Sequence, residues 1–389
     1  MNLNEYFDPV DINIDSIKRK YTSLEYQMYG NVAIHTSNNP IKDIEDYEVV
    51  ILGVVDRDSS TLNNLEQGLA RIREFFYSLS YFENYPKICD LGNLKKGKTS
   101  NDNLIGLRDV LIELKSLNIL PIIIGDSEKI IYPNYLANKD PKKKVNLVSI
   151  DSNIDLYKDS ENKEIQSPLW KVLIDEKDSL FSFTNVGYQT HFVNNKTIRF
   201  LSENLHSFYR LGYIRSKMKD VEPIFRDADI IGLNISSVRQ SEALGQAYPS
   251  PNGFYGEEIC QLARYAGMSA RLSSFGVFDY LNSIDLNNQT AHLIAQIIWY
   301  FINGFVNKKI ESPLKNKDHC KKFIVNLDTF EYELIFYKSE ETERWWMEIP
   351  SFKTSVAKNL LVACTLSDYQ NASNGDIPER WLKVFQKIN

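Results

Sequence analysis

The sequence predicts a three-layer α/β/α fold built on a mostly parallel sheet, with a small α+β appendage at its C-terminal end. Two observations lead there. Short apolar runs alternate with segments whose apolar residues recur at helical spacing, as repeated strand–helix units do. Beyond about Gly304 the alternation stops, and short strand-like runs follow one another instead.

The elements follow in order. Glu48–Val55 is a nearly continuous apolar run, suited to a strand buried on both faces. Leu62, Leu65, Leu69, Ile72, Phe75, Phe76 and Leu79 then mark one helix face. Lys87–Gly92 is a second strand, and Asn103–Leu117 a helix with Leu107, Val110, Leu111 and Leu114 on one side. Leu120–Ile124, Val145–Ile150, Phe183–Tyr188, Asp227–Leu233 and Arg271–Phe278 continue the strands, with helices over Tyr255–Met268 and Gln289–Phe305. In parallel sheets of this kind ligands bind beyond the carboxyl ends of the strands. Gly125-Asp126-Ser127, Asp151–Asp155 and Asn234–Ser236 should lie there.

The appendage is placed at 314–389, after a main domain of 1–313. Phe323–Val325, Tyr332–Tyr337 and Arg344–Ile349 read as short strands, the last two forming a hairpin across Lys338–Thr342. Asp376–Lys387 reads as a helix with Pro378 in its first turn. Arg344, Trp345, Trp346 and Trp381 fit either packing on the main domain or a protein interface, where Trp and Arg are enriched, and are the candidate partner-binding residues.

Net charge is −6 with the signs interspersed, which argues against a nucleic-acid partner. Lys142-Lys143-Lys144 reads as a solvated loop. No window approaches the ~18 apolar residues of a membrane span. The N-terminus lacks the pattern of a signal peptide. Cys89, Cys260, Cys320 and Cys364 are scattered, with neither disulfide nor zinc spacing, so a reducing, cytoplasmic setting is expected. No Walker A, Gly-x-Gly-x-x-Gly or Gly-x-Ser-x-Gly motif occurs.

Several pieces in order give the chain a resemblance to the ureohydrolase family of arginase, agmatinase and formimidoylglutamase, over residues 45–306. Val50-Ile51-Leu52-Gly53 is similar to its first strand and Asp90-Leu91-Gly92-Asn93 to its Asp-x-Gly-Asp turn. Gly125-Asp126 resembles the Gly-Gly-Asp-His segment, and Ser149-Ile150-Asp151 the strand leading into Asp-x-His-x-Asp. Asn282, Asp285 and Thr290 match the segment before the last long helix. The resemblance implies an arginase-like fold, trimers or hexamers, and two divalent ions, usually Mn²⁺. Those ions lower the pKa of a bridging water that attacks a guanidinium-like carbon.

The ligand positions that the resemblance implies are mostly altered. Ser127 and Asn153 stand where the family has histidines, and Asn234 and Ser236 where it has aspartates. Asp151 and Asp155 keep their carboxylates, and Asp279 stands at the place of a substrate-binding glutamate. No histidine occurs around Ile165–Pro168, where some members have a catalytic one. The vestigial pocket is thus Asp126, Ser127, Asp151, Asn153, Asp155, Asn234, Ser236 and Asp279, with no catalytic residue and no cofactor. Asp151 and Asp155 are candidates for a single weak ion. Without a metal Asp126, Ser127, Asp151, Asn153, Asp155, Asn234 and Ser236 are expected to hydrogen-bond one another. The sequence therefore points to a catalytically inactive scaffold or regulatory binding subunit with a protein partner. The alternative is a divergent hydrolase of linear C–N bonds using Mn. Arg239 and Glu242 read either as cleft residues or as a surface ion pair.

Overall fold

A computed structural model describes residues 2–11, 17, 23–56, 62–158, 166–311, 313, 319–327, 333–352 and 359–389. Ile165, Tyr332 and the first residues of the expected appendage, 314–318, lie outside these. The strands of the main sheet are β1 (Phe7–Asp8), β2 (Val32–Ile34), β3 (Val49–Val54), β4 (Ile88–Leu94) and β5 (Leu120–Gly125). After them come β6 (Val145–Ile150), β7 (Leu180–Tyr188), β8 (Ser207–Arg210), β9 (Ile230–Asn234) and β10 (Ser274–Phe278). They run in the order β1-β4-β3-β5-β10-β9-β6-β7-β8, with β2 also on β4. Every pairing is parallel except that of β1 with β4.

The longer helices are α1 (Leu62–Ser78), α2 (Ser100–Ser116), α3 (Ile131–Asn138), α4 (Asn195–Glu203), α5 (Gly256–Gly267) and α6 (Gln289–Val306). Residues of α1, α5 and α6 share one hydrophobic core, and those of α2, α3 and α4 another, on opposite faces of the sheet. This is the expected three-layer arrangement. Helix α2 starts at a capping box, Thr99 accepting from the Asp102 amide while Asp102 accepts from the Thr99 amide. Helices α5 and α6 approach so closely that a Cβ on Gly267 would stand 2.0 Å from the Phe301 carbonyl oxygen, and one on Gly304 2.1 Å from that of Arg264. No larger residue fits at either position.

One buried ion pair ties α1 to β4. Arg73 Nε donates to Asp90 Oδ2 at 2.8 Å and Nη2 to Oδ1 at 3.1 Å. Tyr77 Oη and the Gly92 amide complete the carboxylate's partners. A buried pair is tolerable only when its remaining donors and acceptors are met in this way. Gly92 has φ +90°, a conformation that favours glycine.

The appendage is a four-stranded antiparallel sheet, β11 (Cys320–Val325), β12 (Leu334–Ser339), β13 (Trp345–Ile349) and β14 (Leu360–Cys364), in that order. Helices α7 (Leu366–Ser373) and α8 (Glu379–Ile388) accompany it. The β12–β13 hairpin lies where the sequence places it, whereas β14 and α7 were not anticipated. Pro378 sits at the N-cap of α8 and not within its first turn.

The structure corrects the expectation for the four candidate partner-binding residues. Trp345, Trp346 and Trp381 are 7%, 6% and 0% exposed, and the Arg344 side chain 8%. Trp381 stacks on Phe385 and donates its indole N–H to the Glu348 carbonyl. The Arg226 guanidinium lies over the Trp346 ring, 4.6 Å from its centroid, and donates to the Trp345 carbonyl. Arg344 pairs with Glu222 at 3.1 Å. These groups hold the appendage together and seat it on the main domain, so they offer no free surface. Asp227 accepts the Ala363 amide across the same junction, and Lys383 and Lys387 donate to the carbonyls of His206 and Phe181. Among the described residues no helix is long and apolar enough to cross a membrane.

Removing the largest buried ring of this module tests the packing. Trp381→Ala should destabilise the protein by about 3–5 kcal/mol, seen as a lower urea midpoint by circular dichroism. An unchanged midpoint would mean the ring does not hold the module.

Candidate functional site at the carboxyl ends of the central strands

Strands β5, β10, β9 and β6 are consecutive neighbours. Their carboxyl ends deliver Gly125–Ser127, Asp279, Asn234–Ser236 and Asp151–Asp155 to one place. Asp151 begins the loop after β6 and folds it locally, its Oδ1 accepting the Asn153 amide at 3.0 Å. Asn185 of β7 braces this loop, donating to the carbonyls of Asp151 and Asn153. Asn234 caps the turn after β9 by accepting the Ser236 amide at 2.9 Å. Asp279 follows β10 with φ +64° and is buried. Such backbone conformations are sparsely populated by non-glycine residues and cluster at ligand sites.

The amides at two of the positions that the resemblance assigns to ligands donate to carboxylates. Asn153 Nδ2 reaches Asp155 Oδ1 at 2.5 Å, and Asn234 Nδ2 reaches Asp279 Oδ2 at 2.6 Å. Ser236 Oγ accepts the Tyr248 amide. Asp126 ties its loop to the end of β3 by accepting the Asp56 amide at 2.9 Å, and Ser127 caps its own turn by accepting the Lys129 amide at 3.2 Å. Of the side chains expected to hydrogen-bond one another, Asn153 pairs with Asp155 and Asn234 with Asp151, while Asn234 also reaches Asp279, and Asp126, Ser127 and Ser236 accept backbone amides.

Burial pushes the Asp151 carboxyl up to about 8, with Asp155 and Asp279 adding to the rise against the Asn153 and Asn234 hydrogen bonds. Asp155 is raised by burial as well. Glu128, not singled out from the sequence, belongs to the same acidic group. Burial and then the charges of Asp151, Asp279 and Asp155 hold it well above the usual carboxylate range. Its place directly after Ser127 was the available signal. Tyr157 and Tyr248, both largely exposed, stand at the rim, where Tyr157 senses Glu128 and Asp155.

These donors do not fit a pair of divalent ions. Two carboxylates at the six positions that the resemblance assigns to ligands would leave most of the charge uncompensated, and the two amides point N–H groups at Asp155 and Asp279. Among the described residues no group of three or more His, Cys, Asp or Glu is arranged to hold a metal ion. The histidines are engaged elsewhere: His292 stacks on Phe75 and His206 accepts the Phe183 amide. Arg239 lies over the Tyr255 ring while Glu242 accepts the Gly256 amide, so both hold the loop to α5.

No protein-family model matches the chain. A formimidoylglutamase of Streptococcus gordonii is 23% identical over 235 residues, 55% of this chain and 69% of that one. A Trypanosoma cruzi formiminoglutamase solved with Mn²⁺ superposes with a TM-score of 0.61 at 18% identity, covering 69% of this chain and 97% of its own. The agmatine ureohydrolase of Thermoplasma volcanium gives 0.57 at 19% identity, covering 74% and 96%.

The raised Asp151 carboxyl has a pH consequence. Its folded-state pKa of about 8 lies above the ordinary unfolded value of about 3.9, so the folded state binds the extra proton in between. Stability from this group is full below about pH 4 and is lost as pH rises towards 8. Urea midpoints at pH 5 and pH 8 should differ less in Asp151→Asn than in the native protein. An equal difference in both would show that Asp151 does not titrate in this range.

Proposed function

We propose that this chain, which is similar to formimidoylglutamases in sequence and shares their fold, works by binding and not by metal-dependent hydrolysis. In this reading it is a scaffold or regulatory subunit, acting in the cytoplasm with a protein partner. The observation that carries the proposal is the reversal of donor character at the ligand positions. Asn153 and Asn234 give N–H to Asp155 and Asp279, where a metal would need lone pairs. In this reading the burial-raised carboxyls and these amide donors, and not metal ions, offset the charge of the acidic pocket.

The second reading is a divergent hydrolase of linear C–N bonds. It is favoured by the run of formimidoylglutamases among the relatives and by the Mn²⁺ of the Trypanosoma cruzi neighbour. It would need ion-binding at Asp151 and Asp155 together with a rearrangement of both amides.

Loading the protein with excess Mn²⁺, desalting it and measuring metal separates the two. The binding reading expects near-zero Mn and no release of formamide from formimidoylglutamate or urea from agmatine. Two retained equivalents with product release that Asp151→Ala abolishes would establish the hydrolase instead.

A further inference from the structure

At the other end of the same strands, a cavity of about 920 Å³ opens between the main domain and the appendage. It is bounded by the segments entering β6, β7 and β10 on one side and by β14 and α8 on the other. Eight lysine and arginine side chains line it against two aspartates, Asp178 and Asp227, in a chain whose net charge is −6. That local excess of cations is opposite in sign to the whole molecule. The Lys142–Lys144 run, read from sequence as a solvated loop, forms part of this wall.

Several of these cations are already spoken for, and the remainder are informative. Lys143 and Arg271 share Asp229, while Arg380 donates to the Ala363 carbonyl. Lys387 is held by the Phe181 carbonyl at 2.9 Å and Lys383 by that of His206 at 3.2 Å, neutral acceptors that leave the charge uncompensated within the cavity. Among the described residues the acid paired with Lys383 is Glu379, itself 78% exposed. Lys144 has no acidic partner among the described residues. Lys387 is lowered to about 8 by burial and by Lys383 and Lys144, and burial with Lys387 and Lys383 pushes His206 down to about 3. Holding the half-buried Lys383 and Lys387 beside one another and the exposed Lys144 is unfavourable unless a counter-charge arrives. Leu173, Leu361 and Ile388 give the cavity apolar walls as well, and its volume suits a cofactor-sized molecule.

We propose that this junction cavity is a binding site for a phosphorylated small molecule, whose phosphates pair with Lys144, Lys383 and Lys387 and whose organic body lies on the aliphatic walls. Lysines act here as point charges suited to phosphate oxygens. The site is independent of the carboxylate pocket and of whether that pocket hydrolyses anything. Because both the main domain and the appendage line it, ligand binding would clamp the two together.

The test is calorimetric titration of the full chain with ATP and with inorganic tripolyphosphate in about 0.15 M salt, where exposed charges are largely screened. Saturable one-to-one binding of either probe is expected, weakened at least tenfold by Lys387→Met and by Lys144→Gln. Lys387→Met keeps the apolar stem, and an unchanged circular dichroism spectrum and melting temperature without ligand would show that each variant is folded. Lys321→Gln, on an exposed strand of the appendage, should bind like the native protein. No saturable binding of either probe, or equal loss in Lys321→Gln, would overturn the proposal. So would binding only to phosphatidylglycerol vesicles, since the surface would then be reading a membrane.

Discussion

The parallel ladder through β5, β10, β9 and β6 is the constraint on which the rest of the molecule depends. Its register, with Phe275 opposite Ile122 and Ile231, and Ile150 opposite Leu233, fixes where each strand stops. Because side chains alternate along a strand, a one-residue slip would turn every one of them to the other face. The ends are thus set by hydrophobic burial on both faces, independently of the chemistry placed on them. That separation explains how a chain can keep the architecture of a ureohydrolase while the polar groups at its strand ends change character.

The carboxylate pocket illustrates the energetic side of such a change. Replacing an acid by an amide removes a charge but keeps nearly the same shape, and the amide supplies two donors. Asn234 uses one on Asp279, a residue whose backbone is already in the left-handed region. The geometry of the strand end is therefore held by neutral–acid contacts.

Much of this was legible in the sequence, for definite reasons. Val145–Ile150 was read to the residue because a run buried on both faces has sharp polar boundaries. The meeting of Asp151, Asn234 and Asp279 followed from their places after parallel strands. Other features depend on tertiary context. Asp227 and Asp229 were read as the start of a strand, yet the strand begins at Ile230, and the two acids anchor β14, Lys143 and Arg271. Strand β14 is a five-residue apolar run that periodicity alone cannot assign. The tryptophans of the appendage show the same limit. Aromatic density marks large buried area but does not say whether the covering surface belongs to another chain or to this one. Glu128 joins the acidic group only because the fold brings β6 and β10 beside the turn that follows β5.

The two titratable clusters sit at opposite ends of the same parallel strands, acids at the carboxyl ends and lysines at the amino ends. A molecule with a small net charge can therefore still be strongly polarised along one axis. Such a charge distribution is sensed at distances where the net charge is not, and it fades over roughly 8–10 Å of physiological electrolyte. At low ionic strength it would turn the lysine end towards an approaching anion before contact, and the acidic end would add its pull on cations as its buried carboxyls ionise at higher pH. The strands that specify the fold thus also give the protein a direction.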